Sequence, residues 1–133
     1  MSTEHTPREY LVLSRGQWDP SASKQDVQMA IDGFYVWLER NLQQGRMRPG
    51  SRLAKEGKVV SRHGITDGPF AETKELIGGY WIIVASSLDE AAALAAENPC
   101  KAFGLQYEIR PLEAERASAA AIDNETPAEW RRP

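Results

Sequence analysis

Apolar residues recur along this chain with two different periods, and the alternation between those periods lays out its elements. Tyr10-Leu-Val-Leu13 is a short apolar run closed by Arg15-Gly16, the mark of a strand. A turn-rich stretch, Gln17 to Ser23, follows it. Val27, Ile31, Phe34, Leu38 and Leu42 then return every three or four positions, which predicts a helix with one apolar stripe. Ser23 stands where an N-cap oxygen is needed, with Asp26 three residues on as its capping-box partner. Gly45 stands where the helix should end, because glycine takes left-handed backbone without a Cβ clash. Past Pro49-Gly50, Leu53-Ala54 and Lys58-Val-Val60 predict two short strands paired around Glu56-Gly57. Gly79 to Ala85 is an unbroken β-branched and aromatic run, as expected of a central strand buried on both faces. Ser87-Leu-Asp-Glu90 is a capping box that opens an alanine- and leucine-rich helix ending at Asn98-Pro99. From Leu105 to Arg110 apolar and polar residues alternate, predicting a half-exposed final strand before Pro111.

The order β-α-β-β-α-β predicts an α+β domain of the ferredoxin-like kind, with an antiparallel sheet and the helices on one face. That arrangement leaves the strand at 80–85 half covered. Tyr80, Ile82 and Val84 point one way and Trp81, Ile83 and Ala85 the other, and helices can cover only one set. The second set calls for another layer, so the expectation is a homodimer with its two sheets face to face. Residues 1–8 read as a flexible lead-in, 9–112 as the domain, and 113–133 as a C-terminal extension. That extension holds an alanine-rich piece around Ala117–Ile122 and one large side chain suited to docking, Trp130.

Composition narrows the class of protein. At 133 residues, with 41% hydrophobic and 26% charged, the chain has the balance of one globular domain. No apolar run approaches the roughly 20 residues needed to span a bilayer. The polar, acid-containing start, Met-Ser-Thr-Glu, is unlike a secretory signal, so the expectation is a cytoplasmic protein with no membrane partner. A net charge of −3 gives no footprint for nucleic acid. Arg46, Arg48, Arg52, Lys55, Lys58 and Arg62 nevertheless fall close together, as the solvated face of a hairpin or as an anion-attracting rim beside a pocket. Cys100 is the single cysteine, which excludes an intramolecular disulfide. Lys101 beside it is a cation of the kind that lowers a thiol pKa, though no histidine neighbours it in sequence to activate a nucleophile. The two histidines, His5 and His63, give no metal-ligand spacing, and there is no glycine-rich phosphate loop. Neither a metal nor a cofactor is expected.

Candidate chemistry concentrates in Thr66-Asp-Gly-Pro-Phe-Ala-Glu-Thr-Lys-Glu75. As plain structure this is a turn: proline presets φ, glycine tolerates positive φ, Asp67 accepts from backbone amides, and Phe70 anchors the loop. As chemistry, Asp67 and Glu72 would form an acid–base pair if the loop folds over a sheet-lined cavity. Lys74 would then hold an anionic substrate or stabilise developing negative charge. Trp18, His63, Phe70, Glu75 and Tyr80 are the candidate ligand contacts, with His63 at a hairpin tip as a proton carrier.

That segment, followed by Gly78-Gly79-Tyr80, Leu88-Asp-Glu-Ala91 and Tyr107-Glu-Ile-Arg-Pro-Leu112, resembles the DGPF-domain proteins of the YCII-related group. The resemblance runs from about Tyr10 to Leu112 and implies a dimeric α+β barrel. Related proteins carry a histidine and an aspartate as an active-site pair, the histidine near the first helix; here Ser23 to Gln44 contains no histidine. Two functions follow. One is binding or transforming a small polar or anionic molecule near the Asp67–Glu75 loop, a few relatives in the wider group acting on small lactones. The other is a non-catalytic regulatory or interaction protein tied to extracytoplasmic-function sigma-factor signalling.

Overall fold

The computed structural model describes residues 7–68 and 77–114. Six strands and two helices follow in the order β1 (Arg8–Arg15), α1 (Lys24–Gln43), β2 (Met47–Arg52), β3 (Lys58–Ser61), β4 (Gly64–Asp67), β5 (Ile77–Ala85), α2 (Leu88–Ala95) and β6 (Gln106–Pro111), with a 3₁₀ turn at Pro99–Phe103. β2, β5, β1 and β6 form one antiparallel sheet in that spatial order, and β3–β4 is a separate hairpin. With the hairpin set aside, the chain reads β-α-β-β-α-β with the last strand beside the first, the expected ferredoxin-like α+β arrangement.

Local chemistry explains where the helices begin. The Ser23 hydroxyl accepts from the Asp26 amide at 3.0 Å and starts α1; Gly45, at φ 75°, lies just past its end. At α2 the Ser87 oxygen accepts from the Glu90 amide at 3.1 Å. The Glu90 carboxylate reaches back one residue further than a capping box requires, accepting from the Ser86 amide at 3.1 Å and the Ser86 hydroxyl at 2.8 Å. α2 stops at Ala95, earlier than the sequence suggests, and Asn98 caps the 3₁₀ turn that follows.

The region between α1 and β5 departs from the sequence expectation. β2 is Met47–Arg52 and pairs with β5, whereas Leu53-Ala54 is not strand. Pro49-Gly50 falls inside β2, where the register shifts between Arg48 and Ser51. A proline on an edge strand loses only one ladder donor, and the irregularity absorbs it. Gly50 is required there: a Cβ on it would sit 1.8 Å from the Tyr80 carbonyl oxygen. The hairpin turns at Arg62-His63, not at Glu56-Gly57.

The core forms between the helices and one sheet face. Tyr10 and Val12 of β1, Met47 of β2, and Trp81, Ile83 and Ala85 of β5 are buried there with Trp37, Ala91, Leu94 and Ala95. On α1 the buried line is Ala30, Trp37 and Asn41; the predicted stripe of Val27, Ile31, Phe34, Leu38 and Leu42 flanks it half-buried. The other sheet face carries Leu11 opposite Ile82, Leu13 opposite Tyr80, and Val84 opposite Glu9. Among the described residues, no element covers these five apolar side chains. Two ion pairs border them, Arg48–Glu9 and Arg15–Glu108, both at 3.0 Å.

Candidate functional site

Two places on the molecule gather polar chemistry. The first follows from how the chain leaves the sheet. After β2 the Leu53 amide donates to the Gly78 carbonyl at 2.9 Å, so residues 53–78 depart and return at one neck. The hairpin is part of this excursion, and the Gly68 amide donates to Gly57 O at 3.2 Å. Ile77, where β5 begins, pairs with Arg15 at the end of β1. Arg15 is half-buried and ion-paired to Glu108, which also accepts from Arg110 at 3.0 Å.

Asp67 closes β4 opposite Lys58, and the two side chains form an ion pair in solvent, with the aspartate side chain 82% exposed. A register pairing across the hairpin therefore holds its carboxylate. His63 is exposed at the hairpin tip, where its amide donates to the Ser61 hydroxyl at 3.1 Å. Tyr80 projects from the uncovered sheet face. Trp18 is half-buried in the loop after β1, held where the neighbouring Asp19 amide donates to Phe103 O at 2.7 Å. Gly104, at φ 108°, permits that approach, since a Cβ would lie 2.5 Å from Gln17 O. Phe70, Glu72, Lys74 and Glu75 lie outside the described residues, as do Ala117–Ile122 and Trp130. Of the sequence-derived candidates, Asp67 and His63 therefore share the hairpin, while Trp18 and Tyr80 stand on other elements. The basic cluster is solvent-exposed throughout, with Arg48 and Lys58 in ion pairs.

The second place is buried, between the sheet and the first half of α1. Tyr107 of β6 pairs in register with Ser14 of β1, and its ring lies 5.6 Å from that of Trp81, which packs 5.4 Å from Phe34. Cys100 is buried beside it, and its thiol donates to the Ala30 carbonyl at 3.6 Å. Burial pushes the Cys100 thiol pKa up, the Tyr107 hydroxyl partly opposing it, so the lowering expected from Lys101 does not occur. Burial likewise raises the Tyr107 phenol well above the usual tyrosine range, and the neighbouring thiol adds to this. The Asn98 amide lies near enough to that phenol to favour its ionised form, yet Asn98 Nδ2 makes no hydrogen bond of ordinary length and angle. Trp81 Nε1 is also buried without a partner. Sequence reading treats Trp81 and Tyr107 as strand and Asn98 as a helix end, because nothing in their spacing reveals an indole or amide donor left unmet.

Among the described residues, no three His, Cys, Asp or Glu side chains group as metal ligands, and no helix is long and apolar enough to cross a membrane. A family model for the YCII-related domain matches residues 10–113. An uncharacterised protein of Rhizobium meliloti (strain 1021) is 33% identical over 98 residues, covering 68% of this chain and 78% of that protein.

Proposed function

The chain belongs to the YCII-related family, and from that premise we propose that it acts in the cytoplasm as a homodimer that binds or transforms a small polar or anionic molecule near the Asp67–Glu75 loop. The observation that carries this reading is the neck at Leu53–Gly78, where the chain that left after β2 re-enters the sheet at Ile77, opposite the half-buried Arg15. Surface loops that leave and re-enter a scaffold at one point are common carriers of function, since the scaffold fixes their ends. In this reading Asp67 and Glu72 exchange a proton with the ligand and Lys74 meets its negative charge. Trp18, His63, Phe70, Glu75 and Tyr80 supply contacts. Asp67 exchanges its Lys58 partner for the ligand, so binding weakens as salt screens the site. Five apolar side chains on the uncovered sheet face support the dimer, because a bare patch of that kind calls for a partner.

The test is a thermal-shift screen of small mono- and dicarboxylates against the wild type and Asp67→Asn. Stabilisation by a carboxylate in the wild type, lost in Asp67→Asn with the fold unchanged, is expected. Full retention in the variant would remove Asp67 from the site. The solvent exposure of Asp67 favours a second reading, in which the chain catalyses nothing and serves as an interaction protein in sigma-factor signalling. A partner captured by the full chain and lost on deleting 114–133 would support that reading; recovery of this chain alone would count against it.

A further inference from the structure

We propose that Asp67-Gly68 is a modification site: the link between these residues rearranges spontaneously to isoaspartate, and Lys58 and Gly57 restrain the rearrangement in the folded hairpin. The dipeptide Asp-Gly occurs twice in this chain, at Asp32-Gly33 and at Asp67-Gly68. The same chemistry is open to both. The glycine amide nitrogen attacks the aspartate Cγ, the new N–C bond closes a five-membered imide, and the amide proton leaves with a carboxyl oxygen as water. Water then reopens the ring. Entry at Cγ restores aspartate; entry at the main-chain carbonyl leaves the backbone running through Cβ, as isoaspartate. One water is lost and one regained, with no oxidant or reductant. Glycine suits the second position because it brings no side chain to crowd the nitrogen.

The fold separates the two copies. Asp32-Gly33 lies inside α1, where a helical amide donates to the carbonyl four residues back. The Asp32 carboxylate accepts from Gln28 Nε2 at 2.9 Å, and a Cβ on Gly33 would lie 3.5 Å from Pro99 Cγ, so the helix is packed at that point. Closing the ring there means breaking α1. Asp67-Gly68 instead lies at the open end of the β3–β4 hairpin. All the strand residues of this hairpin are exposed, and two strands without a packed face are marginal in water. Such an element opens at low free-energy cost. Two contacts oppose ring closure while it is shut. The Gly68 amide donates to Gly57 O at 3.2 Å, which holds the nucleophile. The Lys58 ammonium pairs with the exposed Asp67 carboxylate, which must take up a proton before it can lose water. Isoaspartate would add a main-chain carbon to β4 and break the Lys58–Asp67 register. None of this depends on whether Asp67 also meets a ligand.

The test keeps the full-length protein at neutral pH and physiological temperature for weeks in ¹⁸O-labelled water, then digests it with trypsin in ordinary water. Cleavage at Lys24 and Arg40 isolates the Asp32 copy, and cleavage at Arg62 and Lys74 isolates the Asp67 copy. Isoaspartate is read by methyl transfer from S-adenosylmethionine with an isoaspartyl methyltransferase, and ring opening by gain of a labelled oxygen. Isoaspartate is expected in the Asp67 peptide at least about tenfold faster than in the Asp32 peptide, and urea should remove the difference. Lys58→Met should speed the reaction about two- to fivefold, the range to which an exposed ion pair corresponds. Added salt should speed the wild type but not this variant. Absence of isoaspartate from the Asp67 peptide would overturn the proposal, as would equal rates at the two copies in the folded protein. So would an unchanged rate in Lys58→Met when its Gly68 amide exchanges hydrogen as in the wild type.

Discussion

At the scale of single residues, burial is the largest influence on how Cys100 and Tyr107 titrate. Cys100 and Tyr107 both have folded-state pKa values raised above their ordinary values of 9.0 and 10.0. The linkage follows directly. Above about pH 9 the unfolded chain releases these protons while the folded chain keeps them, so the unfolded state binds fewer protons and stability falls as pH rises. The stabilising contribution is complete below pH 9 and is lost on the alkaline side. Urea midpoints measured from pH 7 to 11 should therefore drop steeply above pH 9. Cys100→Ala and Tyr107→Phe should each flatten that drop. A wild-type curve level to pH 11 would contradict the account.

At the scale of elements, β2 is the place where the sequence misleads and the structure explains why. Its residues are polar, it contains Pro49-Gly50, and only Met47 is buried, so neither a period of two nor an apolar run marks it. β1, α1, β5 and α2 were legible because each buries a continuous face, and burial is what hydrophobic patterning records. The candidate site was legible in part. His63 at a hairpin tip could be read from Arg62-His63-Gly64, and the tip is there. The pairing of Asp67 with Lys58 depends on where that hairpin turns, which a register shifted toward Glu56-Gly57 conceals. The burial of Trp81 on β5 and of Asn98 at the start of the 3₁₀ turn depends on packing between elements distant in sequence, which spacing does not record. Two variants test the element-level account. Gly50→Ala should cost roughly 1–3 kcal/mol in urea unfolding, with hydrogen-exchange protection lost between β2 and β5, since the added Cβ has no room beside Tyr80 O. Ser87→Ala should cost about 1 kcal/mol by removing the α2 cap.

At the scale of the whole molecule, the unevenly covered sheet is the dominant fact. One face is sealed by helices over Val12 and Ile83, both fully buried; on the other, which no element among the described residues covers, Leu11, Leu13, Ile82 and Val84 are half-buried and Tyr80 is exposed. If a second copy covers that face, light scattering at micromolar concentration should give twice the chain mass. Replacing Leu13 and Ile82 together by arginine should then yield a folded monomer, because like charges on a self-complementary patch meet each other. A wild type that is monomeric under those conditions would require another explanation for the patch.

The neck at Leu53–Gly78 has a consequence for how the chain can be rebuilt. Because its ends already meet, the 53–78 excursion adds little to the entropy of closing the sheet, a cost that grows only slowly with loop length. Among the described residues, the excursion meets the scaffold where the Leu53 amide donates to Gly78 O. Residues 54–76 could be replaced by a short glycine-containing turn, or by a longer foreign segment, without disturbing the β2–β5 ladder.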